Sequence, residues 1–156
     1  MNATFRIRRA HDADEYAIHS LVRSERLNPI DLDWRRFLLA IDENGIAGAV
    51  QLRLHDDDSR ELGSLVVRQD RRGYGVAARL IDTLLAPIAT RVCMITGAVF
   101  AHHYARWGFR RIDARAAPWG VRRNYYFGRF IGRALALLGG REPRELVILD
   151  RAPRAA

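Results

Sequence analysis

The stretch Val66-Val67-Arg68-Gln69-Asp70-Arg71-Arg72-Gly73-Tyr74-Gly75-Val76-Ala77-Ala78-Arg79-Leu80 constrains this chain more than any other. It reads as the end of a strand, a basic turn with two glycines, and the start of a helix. Upstream, Leu62 to Val67 is apolar and rich in β-branched residues; downstream, Val76, Leu80, Ile81, Leu84, Leu85 and Ile88 recur at helical intervals. A helix N-terminus offers unpaired N–H groups and about half a positive charge, which suits phosphate. Gly73 and Gly75 let the backbone approach a bulky anion and adopt positive φ. Arg68, Arg71, Arg72 and Arg79 surround the turn. The first expectation is a turn that holds the diphosphate of a cofactor or substrate.

At 156 residues, 49% of them hydrophobic, the chain is expected to form a single domain, 1–156, with its own core and a frayed tail at 152–156. All 26 basic residues are arginine, a choice that points to bacterial codon bias in a GC-rich genome. Without lysine there is no Schiff-base chemistry and no P-loop lysine. The single cysteine, Cys93, excludes an internal disulfide and sits in an apolar strand that reads as core. No His, Asp or Glu spacing suggests a metal site. No apolar run reaches the length of a membrane span, and Phe5 to Arg9 alternates with charge where a signal peptide would be apolar. The chain therefore reads as cytoplasmic, with no membrane partner. The net charge of +8 raises nucleic acid as a partner, but the arginines run from Arg6 to Arg154 without massing, and no zinc-finger or RNA-recognition pattern appears. No specific nucleic acid is expected.

Taken in order, Phe5 to Arg9 alternates as a first strand. Asp12 with Glu15 gives the spacing of a capping box for a helix ending near Glu25. Leu27-Asn28-Pro29-Ile30 breaks it. Asp31 to Phe37 reads as a short helix or ordered loop anchored by Trp34 and Phe37, either a wall of a cleft or a packed connector. Phe37 to Ile41, Ile46 to His55 and Arg60 to Val67 form an antiparallel meander, its first turn marked by Asn44-Gly45. A helix follows the glycine turn, and Arg91 to Ala98 can then run parallel to the strand before that turn, because a helical crossover joins them. Phe100 to Trp107 is a short helix ended by Gly108, Phe109 to Ala114 a strand, Arg122 to Leu138 an amphipathic helix, and Leu146 to Leu149 the last strand.

This order, with two motifs at fixed places, resembles the GNAT superfamily of acetyl-CoA-dependent N-acetyltransferases. The superfamily's Gln/Arg-x-x-Gly-x-Gly/Ala pattern is matched by Arg72-Gly73-Tyr74-Gly75-Val76-Ala77. About thirty residues later, its Tyr-x-x-x-Gly-Phe ending is matched by Tyr104-Ala105-Arg106-Trp107-Gly108-Phe109. The resemblance covers Phe5 to Ala114. It implies an α/β chain of the α+β kind: a central mixed, mostly antiparallel twisted sheet of about seven strands flanked by helices. The amphipathic helix before the last strand departs from the minimal pattern.

The resemblance also implies roles. Acetyl-CoA would lay its diphosphate on the N–H groups of Arg72, Gly73, Tyr74, Gly75, Val76 and Ala77, and its amide arm would pair with the backbone edge of Leu65, Val66 and Val67. Gly63-Ser64 could form a bulge that assists the necessary splay of the strand. Tyr104 would protonate the departing thiolate, and Glu61 would accept the amine proton directly or through water. Against these stand plainer roles. Tyr104 could simply pack between helix and sheet, and Glu61 could be a solvated strand-end carboxylate paired with Arg60 or Arg53. His102 or His103 could relay a proton; His11 and His55 read as turn residues. Asp31 and Asp33 could attract an amine. The Tyr125-Tyr126-Phe127 cluster reads as core, with an acceptor pocket or a homodimer face as alternatives. The implied function is transfer of acetyl from acetyl-CoA to a small-molecule, peptide or protein amine in a ternary complex. The alternatives are a non-catalytic CoA-binding or regulatory module and a basic nucleic-acid-binding protein.

Overall fold

Alternating apolar residues and well-formed turns produce seven strands, which a computed structural model arranges in one sheet in the order β1-β2-β3-β4-β5-β7-β6. The strands are β1 (Arg6–Arg9), β2 (Phe37–Asp42), β3 (Gly45–Leu54), β4 (Arg60–Val67), β5 (Val92–Gly97), β6 (Arg110–Ile112) and β7 (Leu146–Arg151). Among the described residues three α-helices accompany them: α1 (Glu15–Ser24), α2 (Val76–Leu85) and α3 (Trp119–Gly139). The structure describes residues 4–25, 27, 30–139, 142 and 144–154. Asn28, Pro29, Gly140 and the last two residues of the expected frayed tail lie outside that set. β1 and β2, β2 and β3, β5 and β7, and β6 and β7 pair antiparallel, whereas β4 and β5 pair in parallel, as the α2 crossover requires. This is the mixed, mostly antiparallel sheet flanked by helices that the motifs imply.

The chain divides into two compact units, one made of Met1–Leu52 with Gly63–Ile88 and the other of Arg53–Leu62 with Ala89–Ala156. In the first unit, Ile18, Val22, Phe37, Leu39, Ala49 and Val66 form the core, and Trp34 packs against it. The N-terminus of α1 differs from the expected Asp12–Glu15 box. Asp12–Asp14 is a 3-10 turn, and Asp14 closes the box by accepting the His11 N–H at 2.9 Å. Asp14 is chosen because Arg8 on β1 reaches it with two hydrogen bonds, at 2.6 and 2.8 Å. The Arg8 guanidinium holds the Asp14 carboxyl down to about 2. Its stabilising effect is therefore complete above the ordinary carboxylate range and is lost as pH falls toward 2.

The contact that places α2 involves Gly48 on β3. A Cβ there would lie 2.9 Å from the Val66 carbonyl oxygen, 2.9 Å from Val76 Cγ1 and 3.2 Å from Leu80 Cδ1. Only a residue without a side chain lets the first two turns of α2 approach this closely. Val76, Leu80, Ile81, Leu84 and Leu85 are the buried face of that helix, matching the helical periodicity in the sequence.

In the second unit, α3 lies on β5 and β7 through Val121 and Tyr125, which join Cys93, Ala117 and Ile148 in a second core. The helix starts at Trp119, three residues before the expected start, because Asp57 from the β3–β4 turn accepts the Gly120 N–H at 2.9 Å. The Asp57 carboxylate supplies at long range the cap that the local sequence lacks. The expected core cluster is corrected here: Tyr125 is buried, but Tyr126 and Phe127 are exposed. The short helix expected over Phe100 to Trp107 is a 3-10 helix over Ala98–Trp107, ended by Gly108 in the left-handed conformation, φ +83°.

Gly48→Val should lower unfolding free energy by about 1–3 kcal/mol through overpacking against Val66 and Val76. Urea titration at neutral pH measures this, and Gly48→Ala should fall between the two.

Candidate active site

The turn between β4 and α2 is built from its two glycines. Gly73 and Gly75 have φ of +84° and +78°, and a Cβ on either would meet nothing within 4 Å. Both positions are left-handed and open to solvent space, so glycine is required by conformation rather than by crowding. Gly75 is the N-cap of α2 and provides no side-chain cap. The first N–H groups of the helix, among them those of Val76 and Ala77, are thus available to an anion. Tyr74 stands exposed between the glycines.

The arginines of the turn have protein partners. Asp42, whose side chain is only 3% exposed, accepts from Arg68 Nη2 at 2.9 Å and from Arg71 Nε at 2.5 Å. Burial alone would push the Asp42 carboxyl up, but Arg71, the Asn44 N–H and Arg68 together hold it below its ordinary value. Arg68 also bonds Asp70 at 2.6 Å. Arg72 pairs with Glu25 and donates to the Val67 carbonyl at 3.3 Å. Arg79 lies over the ring of Phe5, which stands just before β1 and not in it as expected, at 5.1 Å. The guanidinium groups fasten the turn to β2 and to the end of α1.

Upstream of the turn, β4 carries the expected irregularity. Ser64 has φ +49°, a left-handed value for a non-glycine residue inside a strand. The fully buried Gln51 of β3 donates through Nε2 to Ser64 Oγ at 2.9 Å and to the Asp31 carbonyl at 3.1 Å. That amide fixes the kinked residue. The β4–β5 ladder joins Glu61 to Cys93 and Leu62 to Met94, both before the kink. Leu65 and Val67 are half-buried, and Val66 points into the first core.

Asp31 and Asp33 are engaged locally. Asp33 caps the Trp34–Arg36 turn by accepting the Arg35 N–H at 3.1 Å. The Arg36 guanidinium lies 3.6 Å from Asp31 and 3.5 Å from Asp33.

In the second unit, Glu61 differs from a solvated strand end. Its side chain is 3% exposed. It accepts from Arg53 Nη1 at 2.9 Å, lies 2.9 Å from His55 Nε2 and accepts from Asn124 Nδ2 of α3 at 3.1 Å. Arg60 bonds Thr90 instead. Burial pushes the Glu61 carboxyl up, yet the His55 hydrogen bond and the Arg53 charge hold it below its ordinary value, so it is ionised at neutral pH. His55 and Asn124 were not singled out as site residues in the sequence. The signal was faint: His55 stands at the end of a strand six residues from Glu61, and Gly120, whose Cβ would lie 2.4 Å from His55 Cβ, opens the helix that brings Asn124.

Tyr104 packs beside Trp107 and edge-on to Phe109, with ring centroids 6.2 and 6.5 Å away. Its hydroxyl pairs with Thr96 of β5; burial pushes the phenol pKa up despite that bond, so the group stays protonated at neutral pH. Side chains alternate along β5, so Thr96 faces the side opposite Cys93, the ladder partner of Glu61. His102 and His103 are exposed and stack on each other at 3.9 Å. No cluster of three or more metal-ligating side chains occurs among the described residues. No helix among them is long and apolar enough to cross a membrane.

Comparison with known proteins agrees with this fold. Residues 33–111 match the model of the acetyltransferase (GNAT) domain. No curated protein matches the chain. Among solved structures, N-acetylglutamate synthase from Neisseria gonorrhoeae, complexed with coenzyme A and L-arginine, superposes with a TM-score of 0.73 at 19% identity, over 98% of this chain and 34% of that one. The chain thus spans about a third of that protein. Rv2747 from Mycobacterium tuberculosis, in complex with CoA and NLQ, gives 0.69 at 21% identity over 96% of this chain and 99% of that one. Naa50 from Arabidopsis thaliana, bound to the bisubstrate analogue CoA-Ac-MVNAL, gives 0.61 at 13% identity over 95% and 98%. At these identities the likeness is one of fold, and the domain match supplies the family. The chain belongs to the GNAT acetyltransferase family.

Proposed function

We propose that this protein is a cytoplasmic N-acetyltransferase that moves acetyl from acetyl-CoA to a primary amine by direct transfer in a ternary complex. The observation that carries the reading is the uncapped N-terminus of α2, entered through two left-handed glycines, in a chain of this family. Open space over both glycines suits a diphosphate, and the N–H groups from Gly73 to Ala77 would hold it, that of Arg72 being given to the Gln69 carbonyl at 3.3 Å. The backbone of Leu65 to Val67 beyond the Ser64 kink would receive the amide arm and offer an N–H to polarise the thioester carbonyl. Acetyl-CoA supplies an activated acyl group with a good leaving thiolate.

Two proton transfers then fall to side chains. Tyr104 stays protonated at neutral pH and is the proposed donor to the thiolate. Glu61, ionised and hydrogen-bonded to His55, is the proposed acceptor of the amine proton, directly or through water. Direct transfer needs acid and base on opposite sides of the reacting carbonyl, which is compatible with the opposed faces of β5 that lead to the two groups. One neighbouring complex holds coenzyme A with L-arginine and another the bisubstrate analogue CoA-Ac-MVNAL; the acceptor class proposed here is a primary amine of a small molecule, peptide or protein.

Acetyl-CoA should raise the thermal midpoint of the unmodified protein, and Gly75→Val should abolish that rise by forcing a β-branched residue into φ +78°. Survival of the shift would remove the turn from the cofactor site. Tyr104→Phe should leave the shift in place and lower thiol release with an amine panel by about 100-fold or more. Retention of the shift with no turnover even in the unmodified protein would instead identify a non-catalytic CoA-binding module. Glu61→Gln removes the buried carboxylate that Arg53, His55 and Asn124 share and should cost about 3–5 kcal/mol in urea unfolding. If Glu61 takes the amine proton, turnover per folded molecule falls as well; a carboxylate that only anchors α3 leaves that turnover unchanged.

A further inference from the structure

The helix that departs from the minimal family pattern turns an apolar stripe to solvent. Val121 and Tyr125 pack α3 on the sheet. On the opposite side, Trp119, Tyr126, Phe130 and Leu137 are spaced by 7, 4 and 7 residues, so they line up on one face for about 27 Å. Phe127 and Leu138 widen the stripe, and all six side chains are exposed, Phe130 by 69% and Leu137 by 88%. Four arginines, Arg122, Arg123, Arg129 and Arg133, lie on the same helix, and no acidic residue occurs between Asp113 and Glu142. Arg122 and Arg129 reach Trp119 and Tyr125 by cation–π contact, and Arg123 lies 3.8 Å from the exposed Asp56.

We propose that this face of α3 docks on an anionic phospholipid surface, with the helix lying in the plane of the interface. An apolar stripe bordered by arginines, with aromatic residues along it, is the arrangement that partitions into the headgroup boundary while basic groups meet anionic lipid. Charge favours this occupant over a second copy of the chain, which would bring two acid-free, arginine-bearing helices together. The aliphatic residues favour it over nucleic acid, because Leu137 and Leu138 have no stacking surface and gain only from an acyl environment. A helix too polar to cross a membrane can still lie on one. The proposal does not depend on the acetyltransferase reading.

The test is flotation of the full chain with vesicles of phosphatidylcholine alone and of phosphatidylcholine with about a quarter phosphatidylglycerol. Binding should appear only with the anionic vesicles, with a blue shift of tryptophan emission from Trp119, and should weaken in high salt. Phe130→Glu with Leu137→Glu should reduce it at least tenfold. Arg133→Glu, which changes no core residue, should reduce it by roughly fivefold or more. The variants should keep the circular dichroism of the parent, since the replaced side chains are exposed. Absence of binding to anionic vesicles, or equal binding to neutral ones, overturns the proposal. So does a dimer in size-exclusion chromatography that Phe130→Glu dissociates, which would assign the stripe to a second copy.

Discussion

The absence of a side chain at Gly48 is the constraint on which the proposed cofactor turn depends. It lets α2 rest within 2.9 Å of the position a Cβ would take, against the Val66 carbonyl, so the helix begins almost where β4 ends. The chain has only the residues from Arg68 to Gly75 in which to reverse. A short reversal of this kind drives Gly73 and Gly75 to positive φ and leaves the first turn of α2 without a side-chain cap. The uncapped start of α2 is therefore a by-product of close packing on the other side of the same helix. Asp42 then fixes the outer edge of the turn, because its buried carboxylate holds Arg68 and Arg71 at once.

The second unit is held differently. Its helix α3 is anchored at one end by polar contacts: Asp57 on the Gly120 N–H, Asn124 on Glu61, and the close fit of Gly120 against His55. A buried carboxylate of this kind is stabilising only while all its partners are present, since Arg53 and Glu61 were both taken out of water to meet. Beyond Tyr125 the contacts thin out, and the later half of the helix exposes its apolar residues. The same helix is thus rigidly seated at its start and apolar toward solvent farther along.

What could be read from the sequence was local. Gly45, the two glycines of the β4–α2 turn and Gly108 each announce a backbone conformation through their own chemistry, and all of them carry positive φ. The parallel pairing of β4 with β5 followed from connectivity. The choices made by distant residues were hidden. Asp14 replaced the expected acid of the capping box because Arg8 sits on a neighbouring strand. Asn124 meets Glu61 from 63 residues away. Periodicity along α3 revealed a stripe but not which side met the sheet, so Tyr126 and Phe127 were assigned to a core that in fact takes Tyr125. The Ser64 kink was suggested by the small residues Gly63-Ser64, but the Gln51 amide that holds it was invisible.

Cys93 lies in the core beneath α3, with its Sγ 3.4 Å from Asp150. Burial, followed by the Asp150 charge, pushes the thiol up to about 12. No thiolate is formed there at ordinary pH, and the side chain is closed to solvent. Since it is the chain's sole sulfhydryl, the folded protein is silent toward thiol-reactive dyes. Any sulfhydryl that such a dye detects in solution comes from something other than the folded polypeptide, and a single cysteine introduced on the surface would be a unique point of attachment for a label.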